Sequence, residues 1–217
     1  MTALEPLTGP EAPRDCPLCP RLVAYREANR AARPDWFNGA VPSFGDPQAR
    51  LLIVGLAPGR GGANASGRPF TGDGAGVILY ETLLKTGFAR GRYLARPDDG
   101  LELVDAMITN AVRCAPPANK PEAGEEANCR PFLGKRIAAL PRLRVIVSLG
   151  DVSRRNVLRA LGAPVAGMAA GHGVEAAVGP YTLINSYHCS RLNTNTGKLT
   201  PEMFEAVFGR ARTLLGK

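Results

Sequence analysis

Four short, mainly apolar runs recur along the chain, at residues 51–56, 107–112, 145–149 and 181–186, each bounded by glycine or polar text. Runs of this length without polar alternation fit strands buried on both faces. Elsewhere the apolar spacing changes to the helical period. Val77, Tyr80 and Leu84 share one face of a segment over 74–86 that Gly87 stops. Val157, Leu158 and Leu161 mark another, with Asp151 placed to cap it and Gly162 to close it. A strong start at Thr200-Pro201-Glu202 leads into Met203, Phe204, Val207, Phe208, Ala211, Leu214 and Leu215. An earlier helix is predicted after Pro20, on Leu22, Val23 and residues 25–33, and part of 121–140 is also helical.

Strands that alternate with helices predict one α/β domain over residues 1–217, built on a mostly parallel sheet of four strands. Residues 163–180, rich in Gly and Ala, form either a short hairpin or a loop exposing His172. Residues 1–14 are polar and proline-rich, and are expected to be loose or draped over the surface. No internal repeat or linker interrupts the pattern.

A length of 217 residues is enough for one substantial core. No uncharged apolar stretch is long enough to span a membrane, and the start lacks the basic-then-apolar build of a signal peptide. A cytoplasmic monomer is expected. The net charge of +8 adds an acidic partner, of which nucleic acid is the commonest.

The stretch over 55–76, GLAPGRGGANASGRPFTGDGAG, joins the first strand to the helix that follows. Ligands of open α/β sheets bind at such carboxyl-end loops, where glycines admit close backbone approach and a helix N-terminus favours negative charge. A P-loop is excluded, because no lysine lies between Leu51 and Lys85. The useful side chains here are Asn64, Arg68, Phe70, Thr71 and Asp73. From the loop alone, Asp73 reads equally well as a helix N-cap or as a catalytic carboxylate.

Five cysteines change the picture again. Cys16 and Cys19 form a C-x-x-C pair, and Cys114 and Cys129 flank a proline-rich segment read as a loop. Two pairs of soft ligands, in a chain without an export signal, suggest a closed four-thiolate site for zinc or an iron–sulfur cluster. Cys189 is left over, as a space-filler.

In a parallel sheet the loops after the first, second and fourth strands open on one edge. They would bring together residues 70–73, Asn110 and the 188–193 segment. An aromatic ring, an amide, a carboxylate and an imidazole suit a flat polar ring: stacking, edge reading, water activation and anion stabilisation. His188 is one of only two histidines and precedes a polar stretch read as uncoiled.

Together with HCSRLNTNTGKLT from His188 and the cysteine spacing, the glycine-rich loop closely resembles the family 5 (type b) uracil-DNA glycosylases, iron–sulfur members of their superfamily. The resemblance runs from Cys16 to the C-terminal helix. It implies a three-layer α/β/α sandwich around the sheet and a [4Fe–4S] cluster on Cys16, Cys19, Cys114 and Cys129, with zinc the weaker choice. It implies monofunctional hydrolysis of the N-glycosidic bond of uracil, and of other deaminated bases such as hypoxanthine, in DNA, which initiates base excision repair. By motif position, Asp73 would hold or activate water, His188 would face the base oxygen that gains charge, and Phe70 would stack on the flipped base. Asn110 would read the base edge. The Arg191-Leu192-Asn193 tip would enter the vacated space, and Asn64 and Arg68 would add base or DNA contacts.

Ala57 stands where other uracil glycosylase families carry a polar catalytic residue. Gly61, Asn64-Ala65-Ser66 and Cys189 depart from what family members often have. The competing class is a non-catalytic nucleic-acid-binding module with an iron–sulfur or zinc site, in which Asp73 only caps and His188 only packs.

Overall fold

Strand β2 (Leu51–Gly55) is buried along its whole length, and its side chains divide between two cores in the computed structural model, which describes residues 9–216. Leu51 and Ile53 join a cluster with Leu79, Leu83, Phe204 and Phe208, while Leu52 and Val54 join Leu133, Ile137, Val157 and Leu158. A strand with apolar neighbours on both faces has no polar positions, which is why the run reads as continuous.

The other strands are β1 (Phe44–Gly45), β3 (Ala89–Arg90), β4 (Glu102–Leu103), β5 (Ala106–Asn110), β6 (Val145–Leu149), β7 (Val174–Val178) and β8 (Tyr181–Ser186). The helices are α1 (Pro20–Ala32), α2 (Ala63–Ser66), α3 (Gly74–Lys85), α4 (Ala123–Ala138), α5 (Asp151–Ala160), α6 (Arg191–Asn195) and α7 (Pro201–Leu214). Helices α3 and α7 cover one face of the sheet, α4 and α5 the other. The three layers are those expected.

The sheet order is β1-β5-β2-β6-β8-β7, and β5, β2, β6 and β8 pair in parallel. Those are the four expected strands. The count of four is corrected to six by antiparallel β1 and β7 at the edges. Strand β1 has only two residues, and β7 reads Val-Glu-Ala-Ala-Val, whose Ala and Glu carry weak strand preference. Residues 163–180 hold only one strand of a hairpin: β7 turns into β8, which lies beyond the segment, with Val178 opposite Tyr181. A separate ribbon pairs β3 with β4.

The buried stripe of α3 is Gly76, Leu79, Tyr80 and Leu83, one residue off the expected face, and Val77 is exposed. Helix α5 is capped by Gly150; Asp151 is its first residue and pairs with Arg154 and Arg155. The segment before Cys129 is not all loop, since α4 begins at Ala123. Of the expectation for residues 1–14, positions 1–8 fall outside the described residues. In the remainder, Glu11 pairs with Arg113 and Arg136, and Ala12 is buried.

Candidate active site

The carboxyl ends of β2, β5 and β8 open into one cleft of about 540 Å³, a size suited to a small ligand. Phe70, Asp73, Asn110, His188 and Arg191 all line it. The structure therefore brings together the aromatic ring, carboxylate, amide and imidazole that the sequence placed on three separate loops.

Asp73 is the N-cap of α3, and its Oδ1 accepts from the Gly76 N–H at 3.0 Å. Its Oδ2 has no hydrogen-bond partner among the described residues and lies against the glycine-rich loop. A Cβ on Gly62 would come within 2.5 Å of that oxygen, so only glycine lets the backbone pass there. Capping uses one oxygen and leaves the other facing the cleft.

His188 follows β8, and its backbone carbonyl accepts from Asn193 Nδ2 at 2.8 Å. Its ring makes no hydrogen bond to any described residue and sits 6.2 Å from the Phe70 ring, centroid to centroid. Burial pushes the imidazole pKa below its ordinary value, against the opposing pull of Asp73. The ring is therefore neutral at pH 7, able to donate from one nitrogen.

Phe70 adopts a left-handed backbone (φ 53°), and its carbonyl accepts from Tyr93 Oη at 3.1 Å. Tyr80 Oη secures the preceding carbonyl, of Pro69, at 2.6 Å. A non-glycine residue held there costs on the order of 1–3 kcal/mol, offset by such surrounding contacts. Asn110 ends β5 opposite Gly55, and the missing Gly55 side chain leaves room for Asn110 and the Phe70 ring. The Asn110 Oδ1 is buried with no partner. An orphaned acceptor in a cleft wall is costly unless a ligand supplies the donor.

Other expected site residues do not reach the cleft. Arg68 is buried and forms a two-pronged ion pair with Asp99, at 2.8 Å for each prong. That guanidinium holds the Asp99 carboxyl well below the usual carboxylate range. Asn64 is buried and donates to Asn38 Oδ1 at 3.0 Å. Both support the loop from inside instead of contacting a ligand. Asp99→Ala should destabilise the fold by about 3–5 kcal/mol, the usual result of stranding a buried charge. Urea unfolding would measure it.

The stretch after His188 is corrected from uncoiled to helical: Ser190 Oγ caps α6 by accepting from Asn193 N–H at 3.4 Å. Its Arg191 lines the cleft, and Leu192 projects with 73% of its surface exposed. His172 lies in the turn before β7, as a loop residue, but half-buried instead of exposed. Its Nδ1 accepts from Tyr187 N–H at 3.2 Å, so Nε2–H donates to the Met203 carbonyl at 3.1 Å. Cys189 is fully buried in the core. Two cleft residues escaped the sequence reading. Arg60 and Asn119 line it, and the only signal for Asn119 was its turn-rich Pro-Pro-Ala-Asn setting.

The uracil DNA glycosylase superfamily model matches residues 42–212. The chain is 44% identical over 208 residues to a type-5 uracil-DNA glycosylase of Thermus thermophilus, covering 93% of this chain and 94% of that one. It is 42% identical over 201 residues to the type-5 enzyme of Pyrobaculum aerophilum (91% and 88%), and 39% identical over 210 residues to that of Mycobacterium bovis (93% and 78%). The chain belongs to the type-5 uracil-DNA glycosylase family.

Like its cleft, the cysteine site of this type-5 family member draws on distant segments. Cys16 and Cys19 precede α1, Cys114 follows β5, and Cys129 lies in α4. All four line one small, mainly apolar cavity with Leu18, Leu22, Val112 and Phe132. Burial, with the nearby thiols, pushes Cys114 up to about 12; burial also pushes Cys129 up to about 11, although Arg113 N–H donates to its sulfur at 3.2 Å. Among the described residues, no three His, Cys, Asp or Glu side chains converge closely enough to hold a single metal ion. No helix among them is long and apolar enough to cross a membrane.

Proposed function

We propose that this chain is a monofunctional DNA glycosylase that hydrolyses the N-glycosidic bond of uracil, and of other deaminated bases, in DNA. One observation carries the reading: a carboxylate with a free oxygen and a neutral imidazole with an unbonded ring share a cleft beside an aromatic face. Relatives named type-5 uracil-DNA glycosylases support it across most of the chain.

The target nucleotide rotates out of the duplex into the cleft, at a cost of a few kcal/mol that is lower for a mismatched base. Leu192, the most exposed of the large apolar side chains among the described residues, fills the gap in the stack. The base stacks on Phe70. As the bond from the anomeric carbon to the base nitrogen breaks, its electron pair moves onto the base and positive charge builds on the sugar. Asp73 favours that cation and orients water toward the anomeric carbon. His188 donates a proton-bearing nitrogen to the base oxygen that becomes anionic, a contact worth roughly 3 kcal/mol.

Asn110 explains a preference for deaminated bases. Uracil and hypoxanthine carry a ring N–H beside a carbonyl where cytosine and adenine carry a lone pair. The orphaned Asn110 Oδ1 accepts from the first pair and repels the second.

The four thiols suit an iron–sulfur cluster. All donors are soft, burial opposes the ionisation of Cys19, Cys114 and Cys129 until a cation compensates it, and the buried Arg113 on the same wall has an Nε without a partner. Bound there, a cluster would supply a cross-link between α1, α4 and the β5 end, with no electron transfer required by the hydrolysis. Cys129→Ser should lower both iron content and thermal midpoint together. Unchanged stability alongside lost iron would remove the structural role.

The direct test is a panel of duplexes carrying uracil, hypoxanthine, xanthine or 5-hydroxymethyluracil, incubated with anaerobically prepared protein. Alkali-labile sites are expected at uracil and hypoxanthine. Binding without any base release would instead support the non-catalytic module.

A further inference from the structure

Beside the cleft, where α1 ends, two arginines flank an indole. The Arg33 guanidinium carbon lies 5.4 Å from the centre of the Trp36 ring, and that of Arg60 lies 5.5 Å from it. Both distances are within cation–π range. Trp36 is half-buried while Arg33 and Arg60 are exposed. Arg60 also forms part of the cleft wall, and its Nε donates to Asn29 Oδ1 in the last turn of α1 at 2.7 Å.

The underlying turn is fixed to the site. Asn38 is fully buried, and its Nδ2 donates to the carbonyls of Arg33 at 2.7 Å and Trp36 at 3.3 Å. The N–H groups of Phe37 and Asn38 donate to the carbonyls of Ala65 and Asn64, each at 3.0 Å. Residues 33–38 are thereby tied to the glycine-rich loop that carries Asp73.

Neither arginine is neutralised by a carboxylate. Arg21, Arg30, Arg68, Arg113 and Arg154 each have a carboxylate partner. Arg33 and Arg60 have none among the described residues, although Asp35 is next but one to Arg33. An aromatic ring holds a guanidinium in place without neutralising it, so two full charges remain at a set spacing on the rim. That arrangement fits the phosphates of an extended strand, which Arg recognises in a planar, two-pronged manner.

We propose that Arg33 and Arg60, organised by Trp36, form a phosphate-binding site for the DNA strand where it leaves the cleft. The site rests on the DNA-glycosylase reading and carries no base preference. Each phosphate neutralised releases condensed counterions, so each arginine contributes to the salt dependence of binding.

The test is fluorescence anisotropy over a salt series, using the full chain with two duplexes: one undamaged, one with an uncleavable 2′-fluoro-2′-deoxyuridine. Arg33→Gln and Arg60→Gln should each flatten the slope of log affinity against log salt by about 0.9. Both duplexes should weaken by the same factor. Trp36→Leu, which frees both guanidiniums, should weaken binding while the net charge is unchanged. Arg90→Gln serves as a charge-matched control, because that exposed arginine is already paired with Glu102. Wild-type slopes in both glutamine variants, with normal circular dichroism, would overturn the site. So would an equal effect from Arg90→Gln, since net charge would then account for everything. Failure of the wild type to release uracil would end the glycosylase reading, while the slopes on undamaged duplex would still decide this one.

Discussion

Asp73→Asn is expected to slow single-turnover release of uracil by about two orders of magnitude or more, with the fold and DNA binding retained. The choice of asparagine separates the two tasks of this side chain. Asparagine is as good an N-cap as aspartate, so the bond from the Gly76 N–H survives and α3 keeps its start. The loss is confined to the charge on the oxygen that faces the cleft, and with it the hold on water and the stabilisation of the sugar cation. Asp73→Ala would add about 1 kcal/mol of lost capping, and so confuse chemistry with stability. Near-normal rates in the asparagine variant would show that the residue only caps.

His188→Ala should reduce the single-turnover rate by about 100- to 1,000-fold, the usual effect of removing one oxyanion donor. Its ring is also the group whose ionisation can be followed. Burial lowers the imidazole pKa and Asp73 raises it in part, with burial the larger influence. The sign is then determined. The folded state resists protonation, so stability is full above the ordinary histidine value near 6.5 and declines as pH falls below it toward the depressed folded value. An NMR titration of the ring should show a midpoint under that value, and Asp73→Asn should move it lower still. A midpoint above the ordinary histidine value would remove the neutral donor from the mechanism.

How much of this was legible beforehand depends on the range of the interaction. Mainly apolar runs identify β2, β6 and β8 because burial on both faces favours apolar side chains at successive positions, with Ser148, Asn185 and Ser186 the buried polar exceptions. Strands β1 and β7 were not countable, since two residues or an Ala-Glu mixture hold an edge only where a formed sheet offers them partners. The face of α3 was read one residue out, because Val77 and Gly76 both satisfy a helical period and only packing against α7 chooses between them.

The site divides in the same way. Sequence alone determined that a glycine-rich loop, an amide at the end of β5 and a histidine after β8 open on one sheet edge, because parallel strands send every carboxyl end the same way. It also supplied the cysteine pairs, through their spacing. Tertiary structure decided which polar groups are used up by the fold and which are left for a ligand. Arg68 is bound to Asp99, 31 residues away; Asn64 is bound to Asn38; Asp73 keeps one oxygen free; and Asn110 keeps an unanswered acceptor. A side chain's chemistry is local, but whether a partner already satisfies it depends on residues that only the folded chain brings near.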